Sequence, residues 1–290
     1  MSEAPLLLCV GAAKAGTSWL QRVLSDHPGC ALRSIKELHY FDALDRGETD
    51  RQIAAVEARR AGYLAEMEGA GPHRLVTRAR QAKDCEDWLS VLRRGEDASA
   101  YLNYLTAGAE GRMVADMTPA YALLSEDRLR GMARLAPDVR VLYLIRDPVE
   151  RLWSHVRMIA AGRAAKDGNH EGRAAHVLSR VFRGKENEIA ARGDYAAAIG
   201  KLARAVDPRR LMVAVTEEMF TTAGLARIMA FLGLSAVEAD FSRRIHESAA
   251  AELPAEARAQ ARAWLSEQYD FTADWLGRRP AGWAYEPEGV

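Results

Sequence analysis

Cysteine is scarce in this chain, and an excess of either charge is missing altogether. Three cysteines in 290 residues, at positions 9, 30 and 85, make neither a disulfide framework nor a metal-binding spacing. A reducing compartment follows, and a cytoplasmic location is expected. Forty Lys and Arg cancel forty Asp and Glu. That balance excludes bulk attraction to nucleic acid, although it leaves room for a local basic pocket. No apolar run approaches the roughly 18 residues of a membrane span. The first apolar strand already begins at Leu6, so no signal peptide or anchor is expected. His170, His176 and His246 show no His-x-x-x-His or carboxylate spacing, so no metal site is expected. No internal repeat interrupts the chain. Against these absences stands a hydrophobic content of 49%, enough for residues 1–290 to bury a large core as one α/β domain.

Leu6-Leu7-Leu8-Cys9-Val10-Gly11-Ala12-Ala13-Lys14-Ala15-Gly16-Thr17-Ser18-Trp19-Leu20 is an apolar strand that runs into a glycine loop and then a helix. Gly11 is expected to turn the chain off the strand and Gly16 to let the backbone approach a ligand. The helix that follows turns its first N–H groups toward the same point, where Lys14, Thr17 and Ser18 add a charge and two hydroxyls. Lys14, Ala15, Gly16, Thr17, Ser18 and Trp19 thus form a candidate cradle for phosphate or sulfate. The nucleotide-hydrolysing loop GxxxxGK[ST] has its lysine directly after the second glycine. Here Thr17 holds that place, and the lysine stands two residues before Gly16.

A second phosphate motif lies at residues 141–155. Val141 to Ile145 is a continuous apolar run of the kind that forms a buried parallel strand. Arg146 follows it, Pro148 suits the first turn of a helix, and Ser154 lies on that helix. Arginine and hydroxyl together can grip one phosphate.

The loop KxGT[ST]WL and the segment RDPxxRxxS, in this order, resemble the two phosphate motifs of sulfotransferases that use 3′-phosphoadenosine 5′-phosphosulfate (PAPS), with His155 where relatives usually carry another residue. Lys36-Glu37-Leu38-His39-Tyr40-Phe41-Asp42 is similar to the KEPHFF segment of the carbohydrate or heparan-type branch and its bacterial relatives. Asp116-Met117-Thr118-Pro119-Ala120-Tyr121 resembles that branch's E-K-[ST]-P-x-Y segment, and residues 211–219 and 231–234 resemble the closing strand and helix. The unmatched stretches near 43–110 and 156–190 are expected to be acceptor-specific insertions.

The resemblance implies an enzyme that moves the sulfuryl group of PAPS to a hydroxyl or amine of a carbohydrate, lipid or small-molecule acceptor, releasing PAP and requiring no metal. It implies that Lys14 stabilises the leaving phosphate and that Glu37 is the general base. His39 competes for that role, since its neutral form is available near pH 7. Arg146 and Ser154 are assigned to the 3′-phosphate, and Asp116 and Lys36 to the acceptor side. Trp19 either stacks on adenine or packs the core. Arg243 and Arg244 either close the nucleotide pocket or end a solvated helix. Leu38 replaces a proline that would fix the loop, and Met117 replaces a lysine common in heparan-type relatives. A soluble, bacterial-type enzyme without the anchor of Golgi-resident relatives is implied. The alternatives are a P-loop kinase for nucleotides or small molecules, and a nucleotide-binding module that has lost turnover.

The pattern predicts a P-loop-like three-layer α/β fold with a mostly parallel sheet between helices, and ligands at the strands' carboxyl ends. Strands are expected at 6–10, near 31–33, and at 112–116, 140–145 and 211–215. Helices are expected at about 17–27, 51–67, 85–94, 125–135, 148–161, 194–205, 222–232 and 254–276. Residues Gly162 to Gly172 read as a mobile loop.

Overall fold

Strands β1 (Leu6–Gly11), β2 (Val114–Asp116), β3 (Val139–Ile145) and β4 (Leu211–Val215) form an all-parallel sheet in the order β2-β1-β3-β4. The structure is a computed structural model that describes residues 4–167, 172–241 and 252–283. Every residue of β1 is buried, and all of β3 except Arg140, as expected for central parallel strands covered by helices. The chain leaves β1, pairs β2 on one side and then crosses to β3 on the other. Such a reversal opens a crevice beyond the strands' carboxyl ends.

The helices are α1 (Thr17–Ser25), α2 (Tyr40–Arg46), α3 (Thr49–Ala65), α4 (Pro72–Leu92), α5 (Ala98–Thr106), α6 (Glu126–Met132) and α7 (Pro148–Asp167). They continue as α8 (Arg173–Phe182), α9 (Asn187–Ala191), α10 (Tyr195–Ala205), α11 (Thr216–Met219), α12 (Thr222–Phe231), α13 (Ala255–Trp264) and α14 (Ser266–Leu276). Among the described residues no helix is long and apolar enough to cross a membrane.

Several elements differ from the sequence expectation. The strand expected near 31–33 is a single bridge between Cys30 and Met113. Arg33 and Ser34 turn the chain away, since both bond to Asp84 of α4, and Arg33 also reaches the Tyr104 carbonyl at 2.6 Å. The helix expected at 85–94 starts much earlier, at Pro72, whose fixed φ and missing N–H suit a first helical position. Its early turns are exposed and polar, so no apolar stripe announced them. Residues 162–167 continue α7 instead of forming a loop, and 168–171, with His170, lie outside the described residues. The expected C-terminal helix divides at Leu265, a buried residue with φ −102° and ψ 10°. Arg243, Arg244 and His246 also lie outside the described residues.

Aromatic residues are few but concentrated where they position the segment from Lys36 to Asp42. Tyr40 stacks on Tyr101 at 5.0 Å and 16°, while Trp88 of α4 and Phe41 meet the pair edge-on. The Tyr40 N–H donates to the Tyr121 hydroxyl at 3.0 Å. A ring cluster of this size anchors a loop through both burial and geometry.

Candidate active site

β1 and β3 bring the two phosphate motifs together. Gly11 is in register with Tyr143, and the Ala12 N–H donates to the Leu144 carbonyl at 2.7 Å. Gly11 serves close packing rather than a left-handed turn: a Cβ there would lie 2.3 Å from Cε2 of the Tyr143 ring. Gly16 is the left-handed residue, at φ 85°, and a Cβ on it would come within 2.9 Å of Met219. The Thr216 hydroxyl, at the end of β4, donates to the Ala15 carbonyl at 2.7 Å and pins the loop from below. With Gly16 as N-cap, no side chain caps α1. Its leading N–H groups therefore suit an anion.

Cations surround that point. Lys14 is half-buried at φ 72°, with Nζ 3.8 Å from Sδ of Met158. Burial, then the charges of Lys36 and Arg146, push its ammonium below the usual lysine value. Arg146 follows β3 and extends Nη1 to within 3.5 Å of the Lys14 carbonyl. Its backbone is held by Tyr195, which donates to the Arg146 carbonyl at 2.7 Å and accepts from its N–H at 3.2 Å. The guanidinium lies 3.8 Å from Glu150. Ser154 is half-buried one turn beyond Glu150 on the same face of α7. Deeper in α7, Arg151 is fully buried and meets no carboxylate among the described residues, only the Ile189 carbonyl at 3.1 Å and His155 at 3.4 Å. Burial and the Arg151 charge push His155 down to about 3, so it is neutral. Cations gathered beside an uncapped helix suit a polyanion.

On the other side of the loop stands a chain of acidic and basic groups. Lys36 contacts the Ser18 hydroxyl and lies 3.1 Å from Oε1 of Glu37. Oε2 of Glu37 lies 3.6 Å from Nε2 of His39, whose Nδ1 is 2.8 Å from the carboxylate of Asp42. Burial alone would raise Glu37, but the hydrogen bonds of His39 and the charge of Lys36 outweigh it and hold the carboxyl at about 2. Burial would likewise lower His39, yet Asp42 and Glu37 raise it to about 9. The resting proton therefore sits on the imidazole. Lys14, Glu37 and His39 all have φ between 52° and 72°; the one further non-glycine residue of this kind among those described is Glu110. Such conformations cost of order 1–2 kcal/mol each and gather where surroundings enforce them. Leu38, between two of them, is 2% exposed, and its carbonyl accepts from Gln52 at 3.1 Å. Burial fixes the loop where a proline would otherwise do so.

Other candidates lie elsewhere. Asp116 is 1% exposed and accepts from the hydroxyls of Thr118, Tyr121 and Tyr101 at 2.6, 2.8 and 2.9 Å. It braces the ring cluster at the carboxyl end of β2, where the His39 charge also acts on it. Trp19 packs edge-on to Phe220 at 4.8 Å and stacks on Phe241 at 5.9 Å. It also borders a cavity of about 240 Å³ shared with Arg22, His27 and Val237. Two contributors went unread in the sequence. Asp42 stands three residues after His39, and their contact follows from His39 being the N-cap of α2 and Asp42 lying in its first turn. Asp147 caps α7 by accepting from Val149 and Glu150 N–H at 2.9 and 3.0 Å. An Asp directly before a Pro at a helix start is a legible cap signal.

Residues 5–239 match the family model described as "Sulfotransferase family". No curated protein matches the chain in sequence. In structure, the chain is similar to a sulfotransferase from Alicyclobacillus acidocaldarius, with a TM-score of 0.62 at 20% identity, over 97% of this chain and 99% of that one. The sulfotransferase domain of the curacin biosynthetic pathway aligns at a TM-score of 0.49 and 15% identity, over 92% of this chain and 98% of that domain. With its family model matched from before β1 to beyond α12, this chain belongs to the sulfotransferase family.

Proposed function

We propose that this protein transfers the sulfuryl group of PAPS to a hydroxyl or amine of a carbohydrate, lipid or small-molecule acceptor. The observation that carries the reading is the meeting, at adjacent strand ends, of the uncapped α1 N-terminus and Lys14 with Arg146, beside the ionised Glu37. The residues fit the donor. Backbone N–H groups around Gly16, with Lys14, Thr17 and Ser18, would hold its 5′-phosphosulfate, and Arg146 with Ser154 its 3′-phosphate. When bound, PAPS supplies an activated sulfuryl group on a phosphate leaving group. The protein's own part is to neutralise charge on that phosphate, place the acceptor and take up its proton. Lys14 is the group for the first task. For the last, Glu37 is ionised and can receive a proton on a carboxylate oxygen, whereas His39 starts charged and must first lose one. Asp42 holds the imidazole through Nδ1 and so fixes which nitrogen faces Glu37. Lys36 spans the two halves, touching Ser18 of the cradle and Glu37. Three free, buried cysteines suit the cytoplasm.

Thermal stabilisation by PAP, compared with ATP and GTP, tests the reading, because a ligand that binds only the native state raises the melting temperature by mass action. PAP is expected to stabilise most. Stabilisation by ATP with magnesium and none by PAP would instead favour a P-loop kinase. Mass spectrometry of cell extract incubated with the enzyme and labelled PAPS identifies the acceptor.

A further inference from the structure

We propose that Trp283 is a positioning residue for Arg146, fixing through Glu217 and Tyr269 the turn that aims this arginine at the donor's 3′-phosphate. The inference rests on the donor site proposed above and extends it to a residue 137 positions further along the chain.

The turn between β3 and α7 is short, so the direction of the Arg146 side chain is set by the peptide units on either side of it. Tyr195 holds both, bonding the Arg146 N–H on one side and the Arg146 carbonyl on the other. The second unit, between Arg146 and Asp147, is held from Asp147 as well, in two ways. Its N–H donates to Oε1 of Glu217 at 3.1 Å, and its carboxylate accepts from the Tyr269 hydroxyl at 2.9 Å. Trp283 touches both holders. Its indole Nε1–H donates to Oε2 of Glu217 at 2.9 Å, and its ring meets the Tyr269 ring edge-on at 5.9 Å and 89°. At 6% exposure the indole is itself buried.

Each link has a physical consequence. Glu217 sits at the start of α11, largely out of water, and burial pushes its carboxyl up. A carboxylate there needs donors on both oxygens. The Asp147 N–H serves Oε1 and the indole N–H serves Oε2, while Glu217's own N–H and the Arg146 charge add to the carboxylate's support. Deleting the indole donor takes the side-chain partner from Oε2 where burial already disfavours the charge, and such a group turns toward solvent or takes a proton. Either response loosens Asp147, which also caps α7, the helix that carries Ser154. Arg146 and Ser154 would then lose their common alignment, while Lys14, Gly16 and Glu37 stay as they are.

Trp283→Phe keeps the ring and removes the N–H. Calorimetric titration of PAP, and of adenosine 5′-phosphate, which lacks the 3′-phosphate, into wild type, Trp283→Phe, Arg146→Ala and the double variant tests the proposal. Trp283→Phe is expected to bind PAP roughly tenfold more weakly, the loss of one hydrogen bond to a charged group. Adenosine 5′-phosphate should bind it as it binds wild type, and adding Trp283→Phe to Arg146→Ala should cost much less than it costs wild type. Donor KM should rise with kcat at saturation unchanged. Equal weakening toward both nucleotides, or unchanged PAP binding while Arg146→Ala binds weakly, overturns the role of Trp283 and leaves the donor site standing. If wild type does not prefer PAP to adenosine 5′-phosphate, or Arg146→Ala binds PAP normally, the donor-site reading fails and this inference with it. Should Trp283→Phe not fold, Glu217→Gln removes one of the two acceptor oxygens and is expected to give the same PAP-specific loss.

Discussion

Lys36 holds Glu37 in its ionised form, with ammonium and carboxylate 3.1 Å apart, while the same ammonium contacts Ser18 in the anion cradle. The group proposed to receive the acceptor's proton is therefore tied to a residue of the donor loop. Exchanging Lys36 for Met should raise the Glu37 carboxyl toward its ordinary value, since one of its two charged partners is gone. The acid limb of the kcat/KM profile should then move to higher pH than in wild type. An acid limb that stays in place would show that Lys36 does not control the base.

The choice between Glu37 and His39 can be read from activity. Glu37, at about 2, is ready throughout the neutral range, whereas His39, at about 9, is charged until the medium becomes alkaline. With Glu37 as base, kcat/KM should be flat from about pH 5 to 8, and Glu37→Gln should abolish most turnover while PAP affinity stays close to wild type. A rate that climbs tenfold per pH unit toward 9, together with an active Glu37→Gln and a crippled His39→Ala, moves the role to His39.

Lys14→Ala should lower turnover about 100-fold or more, as removal of a donor to a developing anion does elsewhere. Its melting temperature should fall little, because the side chain is half-exposed and its φ of 72° costs alanine no less than lysine. Steady-state rates at saturating donor, with a melt as control, check this. Near-normal turnover would remove Lys14 from the mechanism.

Much of this layout can be read from residue order. The β1 loop, the β3 strand with Arg146, and the carboxyl-edge placement of both follow from apolar runs that end at glycine, lysine or arginine. Local patterns of that kind survive folding because parallel strands must be buried on both faces. What stayed hidden depends on how the folded chain places partners around each residue, near or far in sequence. Asp116 reads as an acid on the acceptor side, and nothing in the residue order shows that the Tyr101 and Tyr121 hydroxyls bury and bond it. Gly11 reads as a turn residue until β3 places the Tyr143 ring against it. The first half of α4 carries no apolar stripe because it meets its neighbours through arginines, Arg74 and Arg78 on Glu66 and Arg78 over the Tyr63 ring. The charge states of Glu37 and His39 could not be read either, since Lys36 and Asp42 act through distances that sequence spacing does not give.

The fit of Gly11 under Tyr143 gives a stability test that is independent of function. A methyl at Gly11 would lie 2.3 Å from one ring carbon and 2.8 Å from another. Gly11→Ala should therefore destabilise by about 1–3 kcal/mol, as overpacking of a tight core does. Tyr143→Ala should be destabilising alone, yet the double variant should lose less than the sum of the two, because removing the ring removes the clash. Urea melts of the four proteins check it, and strict additivity would mean that the two side chains do not contend for one space.

The pairing of Glu37 with His39 also predicts how stability varies with pH. The folded carboxyl is depressed from an ordinary value of 4.5 to about 2, so its contribution is complete above 4.5 and lost as pH falls toward 2. The folded imidazole is raised from 6.5 to about 9, so its contribution is complete below 6.5 and lost as pH rises through 9. The two overlap fully only between these ordinary values, and each wanes on its own side. His39→Ala removes the contribution that is complete below pH 6.5, so its stability gap to wild type should narrow progressively from pH 6.5 to 9. Urea midpoints of both proteins at pH 6.0, 7.5 and 9.5 measure that gap. A gap that stays constant across the three would show that His39 does not carry its proton in the folded protein, and the charged chain from Glu37 to Asp42 would have to be redrawn.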